Sequence, residues 1–164
     1  MDSFQNFNMN LPKEEKFRIL IPQIESLIEK EDNFIANISN ITSAIKFAFE
    51  DINWAGFYFI DKSNPSQLVL GPFQGKVACT RIAVGSGVCG TAVAKKESII
   101  VPDVEKFPGH IYCDADSRSE IVIPVIKDDK VVAVLDIDSH KLYTFDETDK
   151  KNFEVLINKI LVIF

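Results

Sequence analysis

The chain has 164 residues, with 46% hydrophobic and 26% charged side chains, a formal charge of −6 and thirteen phenylalanines. That length and balance fit one domain with a real apolar core, and they exclude a disordered chain. The acidic balance and the lack of a Lys/Arg cluster argue against a nucleic-acid binder. No apolar run nears the roughly 20 residues of a membrane-spanning helix.

Residues 1–11 are polar and Asn-rich, and are expected to be a flexible N-terminal segment. They lack the basic and apolar regions of a secretory signal, so a cytoplasmic protein is expected. A single domain is expected over 12–164.

From Pro12, the residues Phe17, Leu20, Ile21, Ile24, Leu27 and Ile28 recur at helical spacing. Pro22 falls inside this run and is expected to end or kink a first short helix. A second helix is expected over 33–49, with Phe34, Ile38, Ile41, Ile45, Ala48 and Phe49 on its apolar face. The period then changes. Strand formers fill 54–60, a turn cluster follows at 61–66, and 68–70 reads as the returning strand of a hairpin.

Another strand is expected over 77–82, then a glycine-rich turn at 85–90 and a short helix over 91–95. Residues 98–101 read as a strand and 102–117 as a long loop. Two further strands, 121–126 and 131–137, flank a tight turn at 127–130. An amphipathic helix over 145–163 closes the chain, with Asp146 as an early capping residue. Strands joined mostly by turns imply an α+β fold: a central antiparallel sheet of about six strands with helices packed on it.

Three residue sets carry chemical interest. The first is Cys79, Cys89 and Cys113. An odd cysteine count in a reducing compartment excludes a complete disulfide framework and leaves metal binding, catalysis or plain burial. No close cysteine pair is present, which speaks against a thioredoxin-like motif. It speaks equally against a zinc site built from the three cysteines and His110, and no metal is expected. Cys89 lies where a helix opens, a position that favours the thiolate. Cys113 lies in a polar loop between His110 and Arg118.

The second set is Glu120, Asp136 and Asp138. Asp136 and Asp138 share one face of a strand. Facing solvent, they are solubilising charges; facing inward, they need a cation or must hold protons. Glu120 joins them only if the hairpin has a three-residue loop or a bulge, because a two-residue turn alone places it on the opposite face. The third set is Trp54 and Tyr58, which share a face as either plain core or a wall for a methyl or thioether group.

Four stretches resemble the signatures of the free methionine-(R)-sulfoxide reductases, which are GAF-domain enzymes. They are Gly85-Ser-Gly-Val-Cys-Gly-Thr-Ala92, Val101-Pro-Asp-Val104, Val134-Leu-Asp-Ile-Asp-Ser139 and the long run from Phe107 through Pro-Gly-His-Ile-Tyr-Cys113 to Pro124. The resemblance runs from about Trp54 to the last helix. It implies a GAF-like fold, Cys113 as nucleophile, and Cys79 as main resolving thiol with Cys89 second or shared. It further implies that Glu120, Asp136 and Asp138 bind substrate and that Trp54 and Tyr58 wall its methyl group. Free methionine sulfoxide would be the substrate and thioredoxin the external reductant, with no bound cofactor; a homodimer would form through the helical face. A non-catalytic GAF ligand-binding module, or a redox sensor, is the alternative reading.

Overall fold

The computed structural model describes residues 10–111 and 114–164. Most of the segment 1–11, expected to be flexible, therefore lies outside the described residues. Cys113 lies outside them too.

Two helices open the described chain: α1 (Lys13–Ile28) and α2 (Phe34–Ala48). Strands β1 (Ile52–Ile60), β2 (Gln67–Gln74) and β3 (Arg81–Ala83) follow, then helix α3 (Gly87–Lys95). Strands β4 (Ile99–Val101), β5 (Ser119–Lys127) and β6 (Lys130–Ser139) complete one six-stranded sheet, and α4 (Glu147–Ile160) closes the chain. The sheet order is β3-β2-β1-β6-β5-β4, with every neighbouring pair antiparallel. This is the expected α+β architecture.

One sheet face carries Ala55, Phe57, Ile121, Ile123, Leu135 and Ile137 into the main core, against the apolar stripes of α1, α2 and α4. Helix α1 does not break at Pro22. Pro22 removes one amide from the helix ladder, but Pro22 and the residue four back, Arg18, are both exposed. Water can therefore satisfy the freed carbonyl while Phe17, Leu20, Ile21, Ile24 and Ile28 stay buried. Asn33 caps α2 by accepting from the Ala36 amide, and Asp146 closes a capping box with Asp149 on α4.

Other boundaries differ from expectation: the returning strand runs to Gln74 rather than 70, and the last α-helix spans Glu147–Ile160 rather than 145–163. The strand read over 77–82 is confined to Arg81–Ala83, because the backbone just before it serves other partners: Trp54 Nε1 donates to the Lys76 carbonyl and Tyr58 Oη to the Cys79 carbonyl, each at 3.0 Å. Helix α3 opens at Gly87, four residues before the expected Thr91. The glycines there form the entry to the helix, with Ser86 as N-cap and Gly85 and Gly87 at positive φ.

Candidate active site

The opposite sheet face holds the site. Residues directly opposite on antiparallel strands share a face. Trp54, Asp138 and Glu120 form one such row across β1, β6 and β5, and Gly56, Asp136 and Val122 form the next. The β5–β6 hairpin reaches this register in a specific way. Its turn has two residues, Asp128 and Asp129, both at positive φ as a type I′ turn requires. A register shift between Val125 and Ile126 then moves every later pair by one residue. That bulge places Glu120 opposite Asp138, on the same face as both aspartates.

Trp54 and Tyr58 stack with ring centroids 6.0 Å apart, and Phe73 also stacks on Trp54 at 5.4 Å. Helix α3 lies over the cluster, which lowers Cys89 onto the carboxyls. The Cys89 sulfur and one oxygen each of Glu120 and Asp136 lie within 4.8 Å of one another. The loop before β5 supplies His110, whose Nε2 is 3.2 Å from Glu120 Oε2. It also supplies Ser117, which hydrogen-bonds Asp138. All of these side chains except Phe73, with Val77, Ala78, Ile111 and Asp114, line one cavity.

The electrostatics of the cavity are unusual. No Lys or Arg is among its described lining residues. Glu120, Asp136 and Asp138 are all pushed well above the usual carboxylate range, first by burial. Asp138 adds to this at Glu120, Glu120 at Asp136, and Asp136 at Asp138. Cys89 is pushed up as well, by burial and then by Asp136 and Glu120. This reverses the expectation of a favoured thiolate: the helix N-terminus is outweighed by desolvation and the surrounding acids. Asp114, which also lines the cavity, goes the other way. The Asp116 amide and the Lys76 ammonium hold its carboxyl below the usual range.

The structure thus brings together Trp54, Tyr58, Cys89, Glu120, Asp136 and Asp138. Cys79 packs half-buried beside the same apolar cluster. His110 and Ser117 were not singled out as site residues. The tertiary fold brings them to the carboxyls, and the Pro108-Gly109 turn signal before His110 is the one local cue.

A six-stranded antiparallel sheet with α1, α2 and α4 on one face, and α3 over a cavity on the other, is the architecture of a GAF-domain protein, and a family model described as GAF domain matches residues 40–163. The GAF domain-containing protein A of Dictyostelium discoideum is 55% identical over 139 residues, covering 85% of this chain and 86% of its own length. The free methionine-R-sulfoxide reductase of Saccharomyces cerevisiae is 48% identical over 165 residues, covering 96% and 92%. The X-ray structure of the Neisseria meningitidis free methionine-R-sulfoxide reductase in complex with its substrate superposes with a TM-score of 0.91 at 44% identity, covering 94% of this chain and 91% of that one. The chain belongs to the free methionine-(R)-sulfoxide reductase family of GAF domains.

Proposed function

We propose that this chain reduces free methionine-(R)-sulfoxide to methionine. The observation that carries the proposal is the convergence of two buried carboxyls, Glu120 and Asp136, and the half-buried Asp138, with no Lys or Arg among the described lining residues, beside a stacked Trp54–Tyr58 wall. Buried acids with no cation are unstable as anions. A ligand bringing one positive charge removes that penalty, and the α-ammonium of a free amino acid is such a charge. A peptide-bound residue has none. The aromatic wall suits the substrate's methyl group. Relatives named for this activity support the same reading.

The nucleophile is the Cys113 thiolate. It attacks the sulfoxide sulfur while a protonated carboxyl of the cluster donates to the sulfoxide oxygen. Methionine leaves, Cys113 keeps the oxygen as a sulfenic acid, and a second thiol condenses with it to give a disulfide and water. Cys79 takes that second role in preference to Cys89, because the Cys89 thiol is held protonated among acids. An external dithiol such as thioredoxin then reduces the disulfide in the cytoplasm.

The test is a thioredoxin-coupled assay on the three Cys→Ser variants with free methionine-(R)-sulfoxide. Cys113→Ser should abolish turnover, Cys79→Ser should abolish multiple turnover, and Cys89→Ser should retain most of it. Wild-type activity in Cys113→Ser removes the nucleophile. Absence of turnover in the wild type favours a ligand-binding or sensing module instead.

A further inference from the structure

The His110–Glu120 contact has no part in the scheme above, yet it joins the only imidazole lining the described cavity to one of the three acids. Its geometry is built. The Phe107 carbonyl accepts from the His110 amide at 3.1 Å across Pro108-Gly109, and Gly109 takes φ 75°. Proline then glycine at positive φ is the signature of a type II turn, which fixes the point where His110 leaves the loop. From there Nε2 stands 3.2 Å from Glu120 Oε2, and both side chains are only 7% exposed.

We infer that His110 is a positioning residue that accepts the Glu120 proton when a cationic substrate enters the pocket. This rests on the reading that the carboxyl cluster receives the substrate's ammonium. Among the described residues, the titratable and polar groups that line the same cavity are Asp136 and Asp138 from β6, Cys89 from α3, Tyr58 from β1 and Asp114 and Ser117 from the loop, all acidic or neutral. Without a cation, burial disfavours both imidazolium and carboxylate, so the shared proton resides on Glu120. An entering ammonium favours the carboxylate. The Oε2–H bond then breaks as an N–H bond forms at Nε2, and the pair keeps its proton. Glu120 can then charge without releasing a proton to solvent.

The experiment is calorimetric titration of free methionine-(R)-sulfoxide into the Cys113→Ser protein at neutral pH, in two buffers of different ionisation enthalpy. The difference in heat counts protons released per ligand. Adding His110→Gln or His110→Phe should increase the release by up to about one proton. Combining either with Glu120→Gln should cancel the increase. Release that matches the parent in both His110 variants overturns this role while leaving the pocket reading intact. No saturable binding by the parent overturns the pocket reading and this role with it.

Discussion

Replacing Gly56 with alanine tests how the sheet shapes the site. Gly56 lies between Trp54 and Tyr58 on the site face of β1. A Cβ built there would stand 2.3 Å from Trp54 Cη2 and 2.5 Å from Phe73 Cβ. Carbon atoms rest about 3.5–4.0 Å apart, so the indole must move by roughly 1 Å or more. It cannot slide freely, because Nε1 is bonded to the Lys76 carbonyl and the ring stacks against both Tyr58 and Phe73. Overpacking of this kind costs about 1–3 kcal/mol. With a urea m-value of about 2 kcal/mol per molar, the unfolding midpoint should fall by about 0.5–1.5 M. The KM for free methionine sulfoxide should rise with it, since the displaced ring is the proposed wall of the pocket. Gly71→Ala is the matched control: its Cβ would meet Phe59 Cε2 at 2.1 Å, and Phe59 packs against the main core on the other face. It should lower the midpoint comparably without changing KM. Equal KM values in the two variants, or an unshifted midpoint for Gly56→Ala, would refute the reasoning.

Two other outcomes follow from charge and backbone geometry. Because burial raises Glu120 and Asp136 in the folded state, the stability they allow is fully present below the unfolded carboxyl values near pH 4 and is lost as pH rises through their folded values. The ligand-free Glu120→Gln/Asp136→Asn variant should therefore lose less unfolding free energy than wild type from about pH 5 upward, measured by urea titration at several pH values; parallel curves would contradict burial as the cause. Asp129 sits at φ 61° in the β5–β6 turn, where glycine avoids a side-chain penalty of about 1 kcal/mol. Asp129→Gly should raise the urea midpoint modestly, and a lowered midpoint would show that the Asp129 side chain stabilises the turn.

Local pattern determined a good deal of this protein. The change from helical spacing to strand formers near residue 54, the tight turn at 127–130, the Asp146 cap and the shared face of Asp136 and Asp138 are all contacts or dihedrals within a few residues, where sequence speaks directly. The motif runs around Cys89 and Glu120 likewise identified the family. Tertiary structure decided what depends on which surfaces meet. Whether Pro22 breaks α1 turned on whether its freed carbonyl faces water or core. Whether Glu120 joins the aspartates turned on a bulge at Val125–Ile126, which no turn residue encodes. The state of Cys89 turned on three acids brought from β5 and β6, whose burial outweighs the helix end that the sequence alone displays. Burial and long-range charge are properties of the assembled pocket, and they exist only once the strands have paired.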